Sequence, residues 1–255
     1  MDAYAWRGQS DNSWRLESRL SREFPELAAD PGWCERHLAG FKRASLGRQF
    51  DLALGEDENR WWAVGRHAGL VTPLLDWSMS PYVAAFFAFW NEGRVPTTQK
   101  CSIFCLDWGE LSTLKCSKPS SLKPSDFDAL KDCLVMVHPH AHDNPPMTRQ
   151  SGVFTRLYPP RTDVITWVRE LCDCRVDRLL VRYDIAMTER REALNSLRRM
   201  NVHPAALFPD LRGSAEFCNL GLSFANYSPL IDLASVESVA YGPRWAKSGN
   251  ATKDH

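Results

Sequence analysis

Residues 61–90 read WWAVGRHAGLVTPLLDWSMSPYVAAFFAFW, and the fold turns on how that stretch is divided. It opens as a helix-like run that breaks at Gly69 and continues extended through Val71-Thr72-Pro73-Leu74-Leu75. A turn is expected at Asp76-Trp77-Ser78, and a second helix restarts at Ser80-Pro81. Serine suits the cap position, and proline suits the first helical residue because its missing N–H has no partner there. From Tyr82 to Trp90 the helix is apolar on every side and is expected to be buried all round. A buried helix beside a polar turn places His67, Thr72 and Asp76 at the rim of a core. The plainer alternative is that the stretch is core alone, with Asp76 held in the turn.

Size and composition set the frame for that core. A chain of 255 residues with 44% hydrophobic content and ten tryptophans can bury a dense interior. Lys+Arg and Asp+Glu both total 31, so no global field draws the chain onto nucleic acid or anionic lipid. No apolar run reaches membrane-spanning length, so no membrane partner is expected. The opening MDAYAWRGQSDNSW has neither a basic nor an apolar leader region, which makes a cytoplasmic location the expectation, with eight reduced cysteines. A motif already under way at Arg7 leaves room for upstream sequence in the natural protein.

Working outward, Tyr4 to Gln9 reads as a short strand. Leu16 and Leu20 share one helical face in Trp14 to Phe24, and Trp33 to Leu54 reads as an amphipathic helix. Further strands are expected at Cys101–Trp108, Leu134–His138, within Thr148–Leu157 beyond Gly152, and at Val176–Tyr183. A charged helix follows from Thr188 to Met200 with Thr188 as its cap, and another begins near Asp210. Without repeats or a clear linker, one α+β domain over residues 1–246 with a polar tail at 247–255 is the simplest organisation.

Several residues admit two readings. Arg7 suits an internal ion pair, with Asp76 as one partner, or a ligand's phosphates. Asp76, set between Leu75 and Trp77, needs a partner if it is inside. Asp210 after Pro209 is a natural helix cap, and Glu216 then lies in the same helix. His138, His140, His142 and Asp143 invite a metal reading, but the prolines around them break the strand and no cysteine pair of zinc spacing accompanies them, so no metal site is assigned. Arg190, Arg191, Arg198 and Arg199 form a modest positive patch balanced by Glu189 and Glu192. Neither a serine-nucleophile elbow nor a phosphate-binding glycine loop is present.

Four pieces together resemble the FRG family, which carries an aromatic-Arg-Gly signature. They are Trp6-Arg7-Gly8-Gln9, the run from His67 to Pro81, Gln150-Ser151-Gly152-Val153-Phe154-Thr155, and Leu207-Phe208-Pro209-Asp210-Leu211-Arg212-Gly213. This sequence departs from the family pattern at Ala68, where an aromatic is usual, at Val71 and Pro73, where Pro and Arg are usual, and at Pro146.

The order of these pieces is similar, more loosely, to ADP-ribosyltransferases. That resemblance implies a mixed sheet with flanking helices, NAD as the substrate nucleotide, and modification of a nucleic-acid or protein target in a toxin or antiphage-defence type of role. It also implies a cleft in which Arg7, Gly8, Gln9, His67, Gly69, Thr72 and Gln150 hold the nucleotide. Arg7 and His67 would face each other across it, with Asp76 or Glu216 as the acid group. The late-strand position where such enzymes hold a glutamate falls in Gln150-Ser151-Gly152, so the carboxylate has to come from elsewhere. The alternatives are a non-catalytic module binding a nucleotide, nucleic acid or protein, and a hydrolase using a cysteine or aspartate.

Overall fold

The computed structural model describes residues 4–47, 54–55, 57–90, 97–113, 117–118, 133–139, 149–158, 163–172 and 176–222. In chain order these form β1 (Tyr4–Gln9), α1 (Arg19–Glu23), α2 (Pro25–Ala28), α3 (Pro31–Ala44), α4 (Glu58–His67), β2 (Leu74–Ser78) and α5 (Pro81–Phe89). There follow β3 (Lys100–Asp107), α6 (Trp108–Thr113), β4 (Ser117–Lys118), β5 (Cys133–Val137), β6 (Gly152–Tyr158), α7 (Val164–Cys172) and α8 (Val176–Leu179). The last elements are β7 (Leu180–Ala186), a 3₁₀ turn at Met187–Glu189, α9 (Arg190–Arg199), α10 (Pro204–Leu207) and α11 (Leu211–Leu222). The expected polar tail at 247–255 lies outside the described residues, as does most of the histidine run at 138–143.

One sheet of order β4-β5-β6-β2-β1-β3-β7 organises the α+β fold. Its pairs are antiparallel except for the short β4, which runs parallel to β5. β1 pairs with β3 along its whole length, from Tyr4↔Asp107 to Gln9↔Ser102, and β2 pairs fully with β6, from Leu74↔Arg156 to Ser78↔Gly152. Between β1 and β2 themselves, Trp6↔Ser78 is the one register pair among the described residues. The two halves of the sheet are therefore joined at one point and part beyond it.

Alternation along the strands gives the two faces different cores. Ala5, Leu75, Trp77, Phe104, Leu106 and Val153 meet Leu16, Val164 and Trp167 on one face. The other face is divided. Over β1 and β3, α5 and α9 bury Phe86, Phe89, Trp90, Ile103 and Leu197, while over β2, β6 and β5, Leu20, Leu38 and Trp62 pack on Leu74, Val135 and Phe154. Each fully buried aromatic of this kind contributes about 1.5–3 kcal/mol relative to exposure.

The boundaries of α5 are those its sequence predicts. Ser80 is the cap, its Oγ accepting from the Val83 N–H at 3.4 Å, and Pro81 opens the helix. Burial is not complete, because Tyr82 is 54% exposed on the outer side. Asp76, Trp77 and Ser78 lie within β2 rather than in a turn, since pairing with Phe154, Val153 and Gly152 carries the strand to Ser78. Three other segments differ from expectation. Residues 14–18 are not helical, and the helix starts at Arg19, where the Ser18 Oγ accepts from the Ser21 N–H. Val176–Leu179 forms a helical turn ahead of β7, and α9 starts at Arg190 without a side-chain cap from Thr188.

Among the described residues no helix is long and apolar enough to cross a membrane.

Candidate functional site

Where β1 and β2 part, the sheet opens into a cleft of about 970 Å³, within the range of small-molecule sites. Its floor is Arg7, Gly8, Gln9 and Asp76 to Ser78; α1 and α4 flank one side and α5 the other.

Asp76 sits at the centre of that floor. Arg66, on the last turn of α4, donates from Nε to Asp76 Oδ1 at 3.2 Å and from Nη2 to Oδ2 at 2.8 Å. Arg7 reaches across the gap and donates from Nη1 to the Asp76 main-chain carbonyl at 2.6 Å, with the same nitrogen 3.8 Å from Oδ2. A side chain thus spans the place where a ladder hydrogen bond would lie if β1 and β2 continued to pair. Burial alone would push the Asp76 carboxyl up, but the charge and hydrogen bonds of Arg66, with the charge of Arg7, hold it below the ordinary carboxylate range. Two guanidiniums on one carboxylate leave this floor net positive.

The α5 side of the cleft is aromatic. Phe87, Trp90 and Phe208 line it, with Trp90 and Phe208 centroids 5.4 Å apart and Phe87 edge-on to Phe208 at 6.2 Å. Gln150 joins the lining, its Nε2 donating to the Leu207 carbonyl at 3.4 Å. The Ser78 Oγ donates to the Gln150 carbonyl at 2.7 Å, and the Met79 N–H donates to Ser151, which takes the left-handed conformation at φ 48°. These bonds fasten the Gln-Ser-Gly segment to the end of β2.

Gln9 is 5% exposed and also lines the cleft. Its Nε2 donates to the Arg15 carbonyl at 3.2 Å, while its Oε1 is buried with no hydrogen-bond partner among the described residues. A buried acceptor without a donor is costly in isolation, and its position suits a ligand N–H or O–H.

Gly8 has a different reason from the one the sequence suggests. A Cβ there would lie 1.9 Å from the Ala84 carbonyl oxygen and 2.5 Å from the Ala88 nitrogen, so its bare Cα is filled by α5 rather than by a ligand. Gly69, at φ 94°, ends α4: its N–H donates to the Arg66 carbonyl and that of Leu70 to Gly65, the paired bonds that close a helix with a left-handed residue.

Four of the residues anticipated at the nucleotide do not line the cleft. His67 is exposed, because it follows Arg66 by one residue and a helix turns about 100° per residue, so when Arg66 faces Asp76 its neighbour points to solvent. Thr72 is fully buried beneath α1, its carbonyl accepting from Leu20. Gly69 is a helix end, and Glu216 lies on α11 outside the lining. The anticipated facing of Arg7 and His67 is instead a facing of Arg7 and Arg66. Arg66 is the residue the sequence reading missed; its i+4 spacing from buried Trp62 was the available signal.

Asp210 does cap α11, accepting from the Gly213 N–H at 2.9 Å. Arg190 donates to the Phe89 carbonyl at the end of α5, so this member of the basic cluster is structural. Among the described residues no group of histidine, cysteine and acidic side chains could hold a metal. Cys34, Cys101 and Cys105 are buried, which pushes each thiol up to about 11, and none lines the cleft.

Residues 2–95 match the model of the FRG domain family. The matched span contains β1, α4, β2 and α5, and therefore Arg7, Arg66 and Asp76, while Gln150 and Phe208 lie beyond it. No curated protein and no solved structure matches the chain.

Proposed function

We propose that the cleft binds a nucleotide carrying a diphosphate, of the NAD type, and that the chain is an ADP-ribosyltransferase-like enzyme acting on a macromolecule. The observation that carries this reading is the placement of the Arg7–Asp76–Arg66 cluster opposite Phe87, Trp90 and Phe208 in one cleft. Planar guanidiniums match phosphate oxygens, and aromatic rings offer surfaces for a base or a pyridine ring. Among the described residues five arginines and three carboxylates line the cleft of a chain with zero formal charge, which concentrates positive potential where an anionic ligand would lie. Gln9 Oε1 then serves as an acceptor for the ligand.

Titration calorimetry with NAD and with ADP, alongside an assay for nicotinamide release, tests the reading. The wild type is expected to bind both and to release nicotinamide from NAD, and Arg66→Ala to weaken binding at least tenfold. Binding of NAD without release assigns the cleft to a non-catalytic nucleotide-binding module. No binding of either nucleotide overturns the proposal.

A further inference from the structure

Cleavage of a nicotinamide–ribose bond with transfer to an acceptor produces one proton, and a base near the acceptor must take it. The late-strand Gln-Ser-Gly segment supplies no carboxylate, so the acidic groups of the cleft itself are the candidates. Among the described residues three carboxylates line it. Asp76 is held by Arg66 and Arg7. Glu23 is held by Arg19, whose Nε lies 3.0 Å from each of its oxygens. Glu17 differs from both: its side chain is 10% exposed, Arg15 Nε lies 3.9 Å from its carboxylate, and no hydrogen bond reaches that carboxylate among the described residues.

We infer that Glu17 is the catalytic base of this cleft, a role that rests on the nucleotide-transfer reading above. The C1′–N bond to the pyridinium breaks with its electron pair passing to the ring nitrogen, and nicotinamide leaves neutral. An oxygen or nitrogen of the acceptor bonds to C1′, and its proton passes to the Glu17 carboxylate and then to solvent. While it is ionised, the same carboxylate stabilises the positive charge that develops on the ribose.

The surroundings of Glu17 suit that work. Leu16 is locked in the core, and its carbonyl accepts from the Val164 N–H at the start of α7, which fixes the backbone beside Glu17. Burial pushes the carboxyl above the ordinary glutamate range; Arg15 on the same loop and Arg22 on α1 pull it back only in part, and Asp163 ahead of α7 adds to the rise. A carboxylate so placed is more basic than one on the surface. Asp76, in the same cleft, is shifted the other way, and such opposed shifts separate a proton-transferring group from a permanently ionised one.

Glu17→Gln, which keeps size and shape, tests this in the full chain. Nicotinamide release is expected to fall about 100-fold or more while NAD affinity by calorimetry stays within threefold. The acidic limb of the wild-type pH–rate profile is expected to vanish in the variant, and Glu17→Asp to recover part of the rate. Thermal unfolding of Glu17→Gln is expected at or above the wild-type temperature, since it removes a poorly compensated buried charge. Wild-type turnover retained by a folded Glu17→Gln protein, with its acidic limb intact, overturns the assignment and leaves the nucleotide reading standing. A wild type that neither binds nor turns over NAD overturns both.

Discussion

Arg66 holds both oxygens of Asp76, at 3.2 and 2.8 Å, while Arg7 donates to the carbonyl of that same residue from a strand that has stopped pairing with it. One aspartate therefore ties α4, β1 and β2 together at the opening of the sheet. Gly69 makes this reachable: its left-handed conformation ends α4 and turns the chain back so that β2 passes beneath the last helical turn.

Two neighbouring side chains on α4 are expected to behave oppositely. Arg66→Ala should weaken nucleotide binding at least tenfold, and Arg66→Lys should restore little of it, because an ammonium cannot form the paired contact to a carboxylate. His67→Ala should leave binding within twofold and stability within about 0.5 kcal/mol. Calorimetric titration with ADP and urea unfolding of the three variants check this.

Asp76 carries a pH dependence of definite sign. Its folded carboxyl is held below the ordinary value, so as pH falls the unfolded chain takes up the proton first. The stabilisation is present in full above about pH 4, the ordinary aspartate value, and is lost as pH falls through the folded one. For a side chain one-third exposed, solvent screening limits it to about 1 kcal/mol. Urea unfolding from pH 7 to pH 3 should show the wild type losing this increment and Asp76→Asn lacking it throughout.

Asp11 is expected to clamp the loop at the mouth of the cleft. It is fully buried and accepts from the N–H and hydroxyl groups of Ser13, Thr97 and Thr98 at 2.5 to 3.2 Å. Desolvation raises its carboxyl, but these bonds outweigh it and hold the group well below the usual range. Asp11→Ala removes the acceptor these part-buried donors share and should cost about 1–2 kcal/mol. Hydrogen exchange is expected to accelerate at residues 11–14 and 97–100 before the rest of the sheet.

Two glycines should separate packing from backbone conformation. Gly8→Ala forces a methyl to 1.9 Å from the Ala84 carbonyl, so α5 must move and the loss should be about 3 kcal/mol or more. Gly69→Ala meets open space and pays only for a left-handed alanine, about 1–2 kcal/mol. Thermal unfolding of both variants gives the comparison.

Much of the frame was legible in the chain because its causes are local. Ser80-Pro81 starts α5, Gly69 stops α4, and Asp210 caps α11, each through a bond or a backbone angle spanning a few residues. The apolar runs of β1, β3, β5 and β6 likewise name themselves. Local pattern alone puts Asp76 in a turn, whereas what extends β2 to Ser78 is pairing with β6, about 75 residues away.

The sequence by itself determined the elements, the FRG signature and the polar residues available to a site, since capping, periodicity and composition act over short distances. Only the tertiary structure decided which of those residues meet. Arg66 rather than His67 faces Asp76 because a helix advances about 100° per residue. Gly8 accommodates α5, and Glu17 rather than Glu216 enters the cleft, because two halves of one sheet part after Trp6↔Ser78. That parting depends on how strands distant in sequence pair with β3 and β6, and no local pattern of residues encodes it.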